Sequence, residues 1–102
     1  MFAQVKAAQE RLKGVSHVTP IMTSHTLNRK IGAEVYFKCE NFQKAGSFKI
    51  RGATNTVELL SQDELGQGVA TTSSGNHGAA LSMAVTRRGG KTKVVMPKNT
   101  PK

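Results

Sequence analysis

The chain has 102 residues, with 15 Lys or Arg against 6 Asp or Glu and a formal charge of +9. Its length suits one small domain or a part of a larger one; 37% hydrophobic and 21% charged residues with three prolines argue against disorder. No apolar run approaches the roughly 18–20 residues of a membrane helix, no secretory signal heads the sequence, and a lone Cys39 points to a reducing, cytoplasmic setting.

The first predicted element is a helix, in which Met1, Val5, Ala8 and Leu12 recur at helical spacing before Gly14. SHVTPIMTS (16–24) reads as an extended connection around Pro20. Thr23 or Ser24 then caps a short helix through Leu27 and Lys30 that Gly32 closes. AEVYFKC (33–39) alternates Val35, Phe37 and Cys39 against Tyr36 and Lys38, the pattern of a strand. After a loop at 40–46, Ser47 is the expected N-cap of a helix whose apolar stripe is Ile50, Ala53, Val57 and Leu60.

Residues 61–67 are polar and read as a second loop. GVATT (68–72) is a short strand, GAALSMAVTRR (78–88) a helix stopped by Gly89 and Gly90, and KTKVVM (91–96) a last strand. The order from residue 34 onward is therefore β, α, β, α, β. It predicts an α/β fold with a parallel sheet and crossover helices.

Charge invites a nucleic-acid reading. Residues 1–64 carry nine basic and six acidic side chains, whereas 65–102 carry six basic ones and no acid. All five aromatics precede residue 49, so no aromatic is interleaved with the C-terminal cations. A solvated basic face is the expectation, with no nucleic-acid or membrane partner. A small non-catalytic polyanion-binding module is the competing class.

VTRRGGKT (85–92) imitates a phosphate loop, but that loop must follow a strand and open a helix, and here the order is reversed. The three histidines and Cys39 lack metal-ligand spacing, so no metal site is expected.

Two segments suggest chemistry. In GSFKIRGA (46–53), Lys49 sits in the first turn of a helix between two apolar residues and beside Arg51. Desolvation, a neighbouring cation and a helix N-terminus all disfavour an ammonium, and a neutral lysine is a nucleophile suited to Schiff-base formation. Arg51 reads as a helix-surface charge in preference to a cation acting on Lys49. In TSSGNHG (72–78), small residues turn the chain between a strand and a helix whose free amides suit a carboxylate. Ser73, Ser74 and Asn76 add side-chain donors there.

GSFKIRGA followed by SSGNHG resembles the pyridoxal-phosphate-dependent threonine/serine dehydratase and serine racemase family, of the tryptophan-synthase-β-like fold (fold type II). HVTP (17–20), FKCEN (37–41) and VVMP (94–97) extend the resemblance over essentially the whole chain. It implies that residues 1–47 belong to a large cofactor domain, and that 48–102 hold the cofactor lysine helix and the first part of a small α/β domain. Lys49 matches the lysine that carries pyridoxal 5'-phosphate and takes the substrate's Cα proton. Phe48 matches a residue packed on the pyridine ring, and Asn76 the partner of its phenolic oxygen. Ser73, Gly75, Asn76 and His77 match the loop that receives the substrate carboxylate, and Ser74 the acid/base of racemases.

The implied reaction is elimination from a small hydroxy amino acid such as L-serine or L-threonine, giving a 2-oxo acid and ammonia. Serine racemisation and 3-hydroxyaspartate dehydration are the alternatives within the family. Family members are several times longer and commonly homo-oligomeric. The glycine-rich phosphate loop and the acidic ligands of a divalent cation found in some members do not occur in these 102 residues. The expectation is therefore an N-terminal portion that binds the cofactor weakly by itself.

Overall fold

The computed structural model describes residues 1–101. In chain order these form α1 (Phe2–Leu12), β1 (Ile21–Met22), α2 (His25–Ile31), β2 (Phe37–Lys38), 3₁₀ turns at Glu40–Phe42 and Lys44–Gly46, α3 (Lys49–Glu58), α4 (Gln62–Gln67), β3 (Val69–Thr72), α5 (Asn76–Arg87) and β4 (Thr92–Val95).

The helix ends follow local chemistry. Ser24 Oγ accepts from the Leu27 amide at 3.3 Å and starts α2. Helix α4 is a correction to the polar loop expected at 61–67. Ser61 and Glu64 form a reciprocal capping box, in which the Glu64 carboxylate accepts from the Ser61 amide at 2.8 Å while Ser61 Oγ accepts from the Glu64 amide at 3.2 Å. That bond also holds the Glu64 carboxyl below its ordinary range. One apolar residue, Leu65, anchors this short helix in the core.

Strands β3 and β4 pair in parallel, from Val69 opposite Thr92 to Thr72 opposite Val95, with α5 as the crossover. The strand expected over 33–39 does not join this sheet. Only Phe37 and Lys38 are extended in pairing, and they lie antiparallel to β1, inside the segment expected to be a connection. The reason is where the polar groups go. The Val35 amide donates to Asn28 Oδ1 at 3.0 Å, whereas the Cys39 amide and the Lys38 ammonium donate to the carbonyls of Pro20 and Thr19.

The core lies between α3 and α5. Ile50, Ala53 and Val57 pack against Ala80, Leu81, Ala84 and Val85, with Leu65 closing one end. Gly90 permits that closure. A Cβ there would stand 2.7 Å from Leu65 Cδ1 and 2.8 Å from Val85 Cγ1.

Two cations of the acid-free stretch serve this core. Arg88 Nη1 donates to the Val57 and Leu60 carbonyls at the C-terminal end of α3, and Arg87 pairs with Glu58. A guanidinium on carbonyls at this end also complements the helix dipole.

Candidate active site

The approach to α3 is bent by two successive left-handed residues, Ala45 (φ 57°) and Gly46 (φ 69°). An alanine there costs about 1 kcal/mol, so its neighbours must hold it. Beyond the bend Ser47 is extended and Phe48 is already helical in φ and ψ. The cap position of α3 is Phe48, and no side chain caps it. Ser47 Oγ is buried without a hydrogen-bond partner among the described residues, which corrects the expected N-cap.

Lys49 opens α3 and is exposed, not desolvated as its apolar neighbours suggested. Its Nζ lies 4.8 Å from the centroid of the Phe48 ring. A cleft of about 630 Å³ begins there. Phe48, Lys49, Gly52 and Thr56 line one side, Val69 to Thr71 of β3 the floor, and His77 and Leu81 of α5 the rest. A second groove of about 670 Å³ runs along α1, with Arg51 bordering both.

The loop at 73–75 is built by one hydroxyl. Ser73 Oγ accepts from the Gly78 amide at 2.9 Å and the Gly75 amide at 3.3 Å, so it serves the turn itself. Gly78 lets α5 start this close to the sheet, since a Cβ would meet Val94 Cγ1 at 3.0 Å and Ser73 Cβ at 3.3 Å. The amides of Ser74, Asn76 and His77 make no hydrogen bond to the described residues and stand at the N-terminus of the 12-residue α5. Unpaired amides at that end favour an anion.

The structure therefore brings Phe48, Lys49 and His77 to one cleft. Ser74, Gly75 and Asn76 are exposed in the adjoining turn, outside the cleft lining. No group of three or more His, Cys, Asp or Glu suited to a metal occurs among the described residues. Among them, no helix is long and apolar enough to cross a membrane.

Sequence reasoning missed a polar clamp behind α3. Arg51 donates from Nε and Nη2 to the two oxygens of Glu40, both at 2.8 Å, and Thr19 Oγ1 donates to Glu40 Oε1 at 2.6 Å. The buried Gln43 ties the same region together, bonding both the His17 amide and carbonyl at 2.8 Å. Local pattern gives no sign of these contacts, because Glu40 and Arg51 lie 11 residues apart and share no helical or strand period.

The Arg51 guanidinium, with help from Thr19 and Lys38, holds the Glu40 carboxyl down at about 2 against the opposing effect of burial. A depressed carboxylate stabilises the fold fully above its unfolded value near 4.5, and that contribution disappears as pH falls toward 2. Solvent reaches Arg51, so about 0.5–1 kcal/mol is expected from the pair. Urea unfolding between pH 5 and pH 2 should show this loss in the wild type and a flatter profile in Glu40→Gln.

Residues 13–102 match the family model described as pyridoxal-phosphate dependent enzyme. The chain belongs to that family, and within it to the fold type II group of serine racemases and dehydratases. It is 50% identical over 97 residues to a serine racemase of Dictyostelium discoideum, covering 95% of this chain and 30% of the relative. It is also 50% identical over 100 residues to a beta-hydroxyaspartate dehydratase of Paracoccus denitrificans, covering 98% of this chain and 32% of that one. The crystal structure of a pyridoxal 5'-phosphate-dependent aspartate racemase superposes with a TM-score of 0.91 at 44% identity, over 99% of this chain and 32% of the other. The chain thus spans about a third of the length of these relatives.

The residues present fit such a cofactor: an exposed lysine with an aromatic ring beside it at a cleft, and unpaired amides in the turn that adjoins the cleft, have the chemistry of an amine, an apolar surface and anion donors.

Proposed function

We propose that this chain forms the lysine and substrate-loop portion of a pyridoxal-phosphate enzyme acting on small hydroxy amino acids. The observation that carries the reading is Lys49 opening α3 at the same cleft that His77 lines at the start of α5. When bound, pyridoxal phosphate supplies an electron sink for the pair left at Cα when its proton departs.

Lys49 would hold the cofactor and would receive that proton at Nζ, Phe48 would supply the apolar ring beside it, and Asn76 would be the partner of the cofactor's phenolic oxygen. The amides at Ser74, Asn76 and His77 orient the substrate carboxylate, with Gly75 providing the tight turn. Ser73 contributes by shaping the loop with its hydroxyl, which is engaged there. Ser74 serves as the acid/base of the opposite face. Residues 1–47 and 48–102 then belong to the large and small domains of a longer, homo-oligomeric cytoplasmic enzyme.

The sequence alone favours dehydration of L-serine or L-threonine. The names of the relatives favour serine racemisation or 3-hydroxyaspartate dehydration, and this reading replaces the first. A polyanion-binding role has less to draw on, because Arg51, Arg87 and Arg88 are engaged by Glu40, Glu58 and the end of α3.

Racemisation needs groups on both faces of Cα, and loss of a general acid/base costs about 10²–10⁴-fold. In the full gene product given L-serine, Ser74→Ala should abolish D-serine formation by that factor while 2-oxo acid formation falls much less. Chiral chromatography and a keto-acid assay read the two products. Equal losses of both would remove Ser74 from the second face, and no D-serine from the wild type would remove the racemase reading.

A further inference from the structure

We propose that Glu40 is a positioning residue for Lys49, acting through Arg51 to fix the first turn of α3. The inference rests on Lys49 being the cofactor lysine.

Lys49 and Arg51 share that turn, about 200° apart around the helix axis. On the Lys49 side lies the open cleft, where the ammonium has no ion-pair partner among the described residues. Orientation of the turn must come from elsewhere. A fork-to-fork bond between guanidinium and carboxylate fixes direction as well as distance, unlike a single lysine contact. The Glu40 end of this bond is fixed in turn. Thr19, 4% exposed, donates to Glu40, and its carbonyl accepts from Lys38 Nζ at 2.7 Å. Gln43, also 4% exposed, holds residues 17 and 44 together.

The clamp closes across the bend at Ala45 and Gly46. A strained residue persists only where its surroundings over-determine it, and residues 40 and 51 are bonded to each other on either side of that bend. Releasing Glu40 lets the bend relax and swings the start of α3. For a reacting amine, displacement by about 1 Å costs on the order of 10²-fold.

The test uses the full gene product as wild type, Glu40→Ala, Glu40→Gln and the exchange Glu40→Arg with Arg51→Glu. Circular dichroism reports the folded fraction. Pyridoxal phosphate followed by borohydride and peptide mapping gives the rate of adduct formation at Lys49, with exposed Lys93 as internal reference. Folded Glu40→Ala should label Lys49 at least about tenfold more slowly relative to Lys93, with kcat reduced more than KM changes. Glu40→Gln should fall between, and the exchange should recover most of the rate. If Glu40→Ala does not fold, Glu40→Gln and the exchange carry the comparison. A folded variant with the wild-type ratio of Lys49 to Lys93 labelling overturns the positioning role while leaving the cofactor assignment intact. A wild-type protein that takes no adduct at Lys49 overturns both.

Discussion

Lys49→Ala in the full gene product should lower turnover of a hydroxy amino acid by at least about 10³-fold, because the proposed function asks one residue to act as both nucleophile and base. The same substitution should leave the fold almost untouched. Lys49 is exposed, bonds no carboxylate among the described residues and touches the Phe48 ring at 4.8 Å. A cation at a helix N-terminus is mildly unfavourable, and an exposed cation–π contact contributes about 0.5–1 kcal/mol, so the two nearly offset each other. Steady-state kinetics and urea denaturation on the same sample separate the effects. An inactive variant that is also unfolded would mean that Lys49 holds the structure together, contrary to its exposure.

Ile50→Ala should have the opposite signature. Ile50 follows Lys49 directly but is 2% exposed and packs in the core shared by α3 and α5. Truncating a buried isoleucine to alanine costs about 2–5 kcal/mol, from lost transfer energy and the cavity left behind. Denaturation of the full gene product should show that loss, whereas Leu59→Ala, at a position 63% exposed on the far end of α3, should change stability by less than about 1 kcal/mol. An Ile50→Ala protein as stable as the wild type would contradict the placement of the core. Adjacent residues of one helical turn thus face different surroundings, Lys49 the open cleft and Ile50 the core.

Much of this was legible from local pattern. The helical spacing of Ile50, Ala53 and Val57 correctly gives the buried face of α3, and the alternation of strand, helix and strand from residue 68 gives the parallel pair β3–β4. Nonlocal partners were not legible. The sequence around Phe37 reads as a strand for a parallel sheet, yet its actual partner, Ile21–Met22, is two residues long and flanked by a proline. Helix α4 escaped notice because it buries one leucine, although Ser61 and Glu64 already spelled its capping box. That the Ser73 hydroxyl also accepts from two amides of its own loop was not legible either.

The +9 charge says little by itself, for a similar reason. Position in the sequence does not reveal which carboxylate or carbonyl a cation will meet after folding. Arg51, Arg87 and Arg88 each find one in the fold. Lys49 meets none among the described residues and is left facing the cleft.

Lys49, out of all the lysines, is the proposed attachment point for pyridoxal phosphate. Equilibrating the full gene product with the cofactor, reducing with borohydride and mapping the peptides tests it directly. One adduct, concentrated on Lys49 and lost in Lys49→Ala, is the expected result. An adduct spread over exposed lysines such as Lys91, Lys93 and Lys98, with no excess at Lys49, would contradict it.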